Sequence, residues 1–442
     1  MTTDIPAEED DVQLQASIGR KYRRLFSVPA PGAVVGSLAS AGAAQIALVI
    51  TGVITARALG PEDRGYLALV ILVPAVLHGL GALGLPRAVT YFIANDAGDE
   101  RSVLEAIRAP AILQAVLLTI LQAGIMVLVL AGDPADVKWA GVIALPLLAA
   151  NLAEMYGKAI LQGQRRYAAF NVLRNAGLTF YLIGVVALAA TGRTSIVAFA
   201  SAYVIASALS AIVTLAVVAD RRMSPQHATR VARSALVRFG LRGYFTGLSP
   251  GVLRIDQALV GLLLAPASLG LYVVALALTN LPTFISRSIG FIAFPQVAGA
   301  ASARDDEMRR FFWFSLTLSG AAVLALELAA GWLVPLFFGE SFEGAVVLTR
   351  ILLVGAFFEG GRHVLTSTAS GSGRPGIGSV AEVTSWLVLV IAVAALMPAF
   401  GAEGVAAATT VASAASFLVL VFLVRHTKGP SSHPVPVQGD PA

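Results

Sequence analysis

Residues 109–131 read APAILQAVLLTILQAGIMVLVLA, 23 positions without a single charge. A helix of that length rises about 34 Å, enough to cross ~30 Å of hydrocarbon. Comparable runs recur on both sides of it. Spans are expected at about 34–58, 66–86, 109–131, 139–161, 172–190, 196–219, 243–264, 270–297, 311–336, 345–369, 377–398 and 403–424. Apolar residues make up 57% of the 442 and charged residues only 13%, about half the charged share of a soluble domain. Within hydrocarbon only helices and closed barrels satisfy their backbone. These runs are too long and too uniform for barrel strands. The expected fold is an all-α polytopic membrane protein with about twelve transmembrane helices.

The gaps between the runs alternate in charge. One alternate set, together with both tails, holds 21 of the 31 Lys and Arg. The other set holds Arg64, Lys138 and Arg193 alone. Positive charge stays on the cytoplasmic side, so both termini are expected in the cytoplasm of a cell whose inner membrane the chain crosses many times. The organisation that follows is a basic N-terminal tail at 1–33, a first lobe at 34–219, a basic linker at 220–242, a second lobe at 243–424 and a cytoplasmic tail at 425–442. Residues 12–26 admit either an interfacial basic helix or a disordered tail. The segment from Lys428 is rich in Pro and Ser and reads as disorder.

Several classes drop out. There is no Cys, so neither a disulfide framework nor a thiolate metal site is expected. The five His lack ligand spacing, and no phosphate-binding loop or dinucleotide fingerprint is present. No cofactor, no metal and no ATPase engine are expected. The basic balance lies beside membrane spans, where topology and anionic headgroups account for it better than nucleic acid does.

The chain also repeats itself weakly. Leu59-Gly60-Pro61, Gly65-Tyr66 and Ala68-Leu69 return as Leu264-Ala265-Pro266, Gly270, Tyr272 and Ala275-Leu276. Gly163 with Arg166 returns as Gly371 with Arg374. Six spans per half bring the chain back to the same side, so the two lobes are expected to be parallel repeats with a site between them.

Three stretches resemble the polysaccharide-transporter branch of the MOP superfamily, relatives of the MATE drug exporters and the lipid II flippase. They are Ala56-Arg57-Ala58-Leu59-Gly60-Pro61 running into Gly65-Tyr66; Arg254-Ile255-Asp256-Gln257 with Leu259 and Gly270-Leu271-Tyr272; and Phe338-Gly339-Glu340 with Phe342 and Ala345. The resemblance covers roughly 34–425. It implies two six-helix lobes around a central cavity. It also implies an O-antigen or exopolysaccharide flippase that carries a polyprenyl-diphosphate-linked oligosaccharide and is no enzyme.

Charges inside the expected spans are costly and need a partner, water or a route to the interface. Arg57, Arg174, Lys158 and Glu403 lie near span ends, where snorkelling serves. Glu154 and Lys158 fall on one helix face. A deeper group is the candidate substrate site: Arg254 and Asp256 in the seventh span, Arg287 in the eighth and Glu327 in the ninth. The tenth span adds Glu359 with Arg362 and His363 at i+3 and i+4, and the second adds His78. Basic members suit a saccharide diphosphate and acidic members a cation or proton relay; structural pairing between helices is the other reading. The function expected is transport of a lipid-linked oligosaccharide for cell-surface polysaccharide. Membrane lipids and polysaccharide assembly proteins are the expected partners. A MATE-like drug or cation antiporter, a membrane-embedded glycan polymerase or ligase, and a non-transporting scaffold are the alternatives.

Overall fold

A computed structural model describes residues 31–94, 100–219, 232–244, 251, 253–299, 304–372, 374 and 376–426. Among these residues there is no strand. The first half comprises α1 (Pro31–Gly81), α2 (Leu85–Ala94), α3 (Glu100–Val129), α4 (Ala135–Ile143), α5 (Pro146–Gly163), α6 (Tyr167–Leu173), α7 (Ala176–Ala190) and α8 (Ile196–Ala219). The short α9 (Arg233–Tyr244) leads into α10 (Ile255–Leu263), α11 (Pro266–Gly299) and α12 (Arg304–Phe338). A 3-10 turn at Glu340–Phe342 precedes α13 (Ala345–Gly371) and α14 (Gly376–His426). The two tails and the centre of the linker lie outside the described residues.

Eight segments among the described residues are long and apolar enough to cross a membrane. Two of them lie in α1 and α14, helices of 51 residues each, about 77 Å if straight and more than twice the hydrocarbon thickness. Each breaks at a glycine. Gly60 has φ 73° and ψ 176°, and Gly401 has φ 54° and ψ −125°, conformations a side chain disfavours. Both glycines fall in gaps expected between spans, at 59–65 and 399–402. α13 is not among the eight; it carries Arg350, Glu359 and Arg362.

The expected seventh span, 243–264, needs correction. No continuous helix fills it. α9 ends at Tyr244 and α10 has only nine residues. Arg254, expected at mid-span, precedes α10 with φ 52° and ψ 39°. A left-handed residue interrupts an α-helix, so the apolar run here is not the length of one helix.

The exterior is apolar: Leu128 and Leu328 are 78% and 79% exposed. Small hydroxyls are inside, as membrane helix packing favours. Thr349 Oγ1 donates to Ala345 O (2.7 Å) and Ser319 Oγ to Ser315 O (2.6 Å), so each is satisfied within its own helix. One core cluster joins the halves, with Leu67, Leu69, Leu147 and Phe199 of the first beside Val260, Leu269, Tyr272 and Leu348 of the second.

The sequence repeat has a structural counterpart. Arg166 N donates to Leu161 O and Arg374 N to Ala369 O, both at 2.9 Å, so α5 and α13 end alike. The turns after Pro61 and Pro266 face each other. A Cβ on Gly65 would overlap the Pro266 carbonyl, and a Cβ on Gly270 would overlap the Pro61 carbonyl. The two motifs thus touch backbone to backbone, reciprocally, on one face of the molecule. Arg57 adds a second tie between halves, donating from Nε to Phe337 O (2.7 Å) and from a terminal nitrogen to Leu336 O. It caps the carbonyl end of α12, a role more specific than snorkelling.

Candidate functional site

The structure sorts the charges expected inside the membrane into four places. The largest is a network on α11, α13 and α14. Arg362, with a side chain 6% exposed, donates from Nε to Glu359 Oε2 (3.0 Å) and from a terminal nitrogen to Glu359 Oε1 (2.7 Å). Its other terminal nitrogen donates to Glu382 on α14. A guanidinium holds two carboxylates this way because its planar fork presents several donors at once. The cluster continues through His363. Its Nε2 lies 3.1 Å from Glu359 Oε1 and accepts from Arg287 Nε at 3.1 Å.

The i+3 and i+4 relations within α13 are legible in the sequence. Glu382 and Arg287 come from neighbouring helices, and no spacing rule reaches them. Arg287 is exposed, and its terminal amino groups make no hydrogen bond among the described residues. It lies about 31 Å along α11 from the touching turns at Pro266, so the cluster is at the far end of that helix from them.

Asp256 is elsewhere. It is buried at the N-terminal turn of α10, where Tyr272 Oη donates to its Oδ2 at 2.9 Å. Backbone N–H groups of that turn also reach it. A carboxylate on a helix N-terminus is a capping arrangement. Arg254 is exposed and faces Tyr203 of the first half electrostatically.

Glu327 lies in a groove between α12 and α13, a cavity of about 500 Å³ whose lining includes Val323, Leu324, Val354 and Phe357. Its Oε1 is buried without a partner among the described residues, and Arg350 stands across the groove. Arg350 carried no assignment in the sequence, because a base 23 positions from its acid gives no local signal. His78 belongs to the first half, beside Asn151 and the Glu154–Lys158 pair (2.6 Å). Ser210 Oγ donates to the same Glu154 oxygen at 2.6 Å. The candidates therefore do not converge on one point. Arg287, Glu359, Arg362 and His363 form one site, and Arg254, Asp256, Glu327 and His78 stand apart from it.

No group of three or more His, Cys, Asp or Glu able to hold a metal occurs among the described residues.

Solved structures share this architecture at low identity. The lipid II flippase MurJ in an inward closed conformation aligns with TM-score 0.72 and 15% identity, over 87% of this chain and 86% of that one. An inward-facing multidrug resistance MATE transporter of the MOP superfamily aligns at 0.66 and 16%, over 86% and 94%. A MOP superfamily transporter from Pyrococcus furiosus aligns at 0.59 and 15%, over 89% and 94%. At this identity the likeness to these transporters is one of fold. No curated protein sequence matches the chain. The sequence profile described as polysaccharide biosynthesis protein matches residues 54–347, about two-thirds of the length. The chain belongs to that family.

Proposed function

We propose that this protein is a flippase that moves a lipid-linked oligosaccharide, carried on a polyprenyl diphosphate, across the cytoplasmic membrane for cell-surface polysaccharide. The observation that carries the reading is Arg287. An exposed guanidinium whose terminal amino groups make no hydrogen bond among the described residues, far along α11 from the touching turns, is suited to a diphosphate. Family membership supplies the glycan context. The lipid tail stays in the bilayer while the headgroup crosses between lobes that rock about their contact. Arg254, exposed near Tyr203 of the first half, is a second anion contact in this scheme. Asp256 serves the packing of α10.

A drug or cation antiporter of the same fold fits less well. At the α11–α13–α14 cluster both carboxylates, Glu359 and Glu382, are engaged by Arg362, and Glu327, whose Oε1 has no partner among the described residues, faces Arg350 across a separate groove. A polymerase or ligase needs a sizeable external domain, and the gaps on the side with few basic residues, such as 59–65 and 399–402, are a few residues long.

In this reading both termini are cytoplasmic and the touching turns close the outer face. Arg193 and Ser234 are both exposed, and the chain has no native Cys. In intact cells a cysteine at Arg193 is expected to react with an impermeant maleimide and one at Ser234 is not. Labelling at Ser234 from outside would invert the orientation.

The role of Arg287 is tested by surface glycan in a strain lacking the native gene. Arg287→Ala is expected to lower it about tenfold or more, the weight of one charge-assisted contact, at unchanged protein level in the membrane. Normal glycan from that variant would remove the diphosphate assignment.

A further inference from the structure

His363 stands between two groups that one nitrogen cannot serve together. Its Nε2 is 3.1 Å from Arg287 Nε and 3.1 Å from Glu359 Oε1. A guanidinium nitrogen only donates and an ionised carboxylate only accepts, while an imidazole nitrogen carries either a lone pair or a hydrogen. With the lone pair at Nε2, the ring accepts from Arg287. Glu359 is then held by Arg362 alone, through its bonds of 2.7 and 3.0 Å. With a hydrogen on both ring nitrogens, Nε2 donates to Glu359 instead. Arg287 then loses its acceptor and faces a second cation at hydrogen-bond distance.

The surroundings leave the choice to the ring. Charged groups facing it are Glu359 and Arg362 of its own helix, Arg287 of α11 and, through Arg362, Glu382 of α14. α12 brings hydroxyls to this level: Ser315 lies 3.3 Å from Ser286, and Ser319 lies beside Gly360. Arg362 already ties both carboxylates, so the arrangement differs between states only at the His363 bond and at Arg287. Imidazole is also the side chain that changes charge near neutral pH.

We propose that His363 is a proton-binding site coupled to the anion site: taking up a proton passes its bond from Arg287 to Glu359 and releases Arg287 toward a diphosphate. The inference rests on the reading of Arg287 as an anion ligand. Two consequences act in the same direction. The released guanidinium gains reach, and the site gains one positive charge. Proton and anion therefore bind cooperatively, and by linkage the bound anion raises proton occupancy at His363 by the same factor.

The test uses the purified full chain in detergent with farnesyl diphosphate as probe, at about pH 6 and about pH 8, either side of the imidazole range. Wild type is expected to bind about tenfold more tightly at the lower pH, one charge-linked contact. His363→Gln keeps both contacts without titrating, since its amide oxygen accepts from Arg287 and its NH2 donates to Glu359. It should bind the probe with most of that pH dependence gone. Because both proteins meet the same probe, titration of the diphosphate itself cancels in the comparison. An equal pH dependence in the two proteins overturns the proposal.

Histidine-labelled NMR reads the proton directly. Arg287→Ala removes the neighbouring cation and should increase proton occupancy of His363 at fixed pH. An unchanged occupancy overturns the proton site. Failure of wild type to bind farnesyl diphosphate at either pH, with that NMR response intact, refutes the anion reading and with it the coupling.

Discussion

Gly65→Ala and Gly270→Ala are each expected to open the molecule where its halves touch. In both variants the new methyl lands on a carbonyl, Pro266 for Gly65 and Pro61 for Gly270. A flexible side chain could move aside; a proline carbonyl in a helix's first turn cannot without shifting the helix. Overpacking at a rigid contact costs about 1–3 kcal/mol. That is enough to displace an equilibrium between two conformers that differ by a similar amount. The effect should be read at Leu269, which is 1% exposed beside this contact. A cysteine there should be nearly inert to maleimide in the wild-type background and react about tenfold faster in either glycine variant, the factor that ~1.4 kcal/mol produces. Surface glycan should fall in parallel at normal membrane level. Unchanged labelling would mean that the touching turns do not hold the halves shut.

Arg362→Ala should be the most damaging single change in the chain. It leaves Glu359 and Glu382 facing each other with no cation between them. Breaking a buried ion group from one side costs about 3–5 kcal/mol. The expected result is a loss of folded protein, seen as little full-length chain in membranes and a lower melting temperature in detergent. The triple replacement Arg362→Met with Glu359→Gln and Glu382→Gln removes the charges together and should restore the protein level but not glycan export. If Arg362→Ala accumulates normally, the network is not what holds α13 to α14. If the triple variant exports glycan, the charges have no part in function.

What the sequence made legible follows from which forces are local. Span positions came from apolar run lengths. The breaks within α1 and α14 fall in the gaps 59–65 and 399–402 left between apolar runs, and the structure places them at Gly60 and Gly401, where backbone freedom allows the turn. The pairs Glu154–Lys158 and Glu359–Arg362–His363 were readable because helix geometry sets i+3 and i+4 neighbours. The repeated Pro–Gly turns pointed to equivalence, though not to their mutual contact.

The rest is tertiary. Arg287 meets His363 across 76 positions and Arg362 meets Glu382 across 20, and no pattern within one helix encodes either meeting. The seventh span misled for a related reason. A run of the right hydropathy looks the same whether or not Arg254 turns left-handed in its middle. Asp256 was legible as an acid inside the expected span, whereas its bond from Tyr272 and its place at the start of α10 were not.

The central claim is that this chain moves a diphosphate-linked glycan across a bilayer. The most direct measurement is made in proteoliposomes holding the purified chain and a polyprenyl-diphosphate-linked oligosaccharide, with a membrane-impermeant lectin reporting glycan that reaches the outer leaflet. Wild type should bring inner-leaflet glycan to the lectin well above the protein-free rate, and Arg287→Ala should return it close to that background. Wild-type vesicles that show no more lectin binding than protein-free ones would contradict the account.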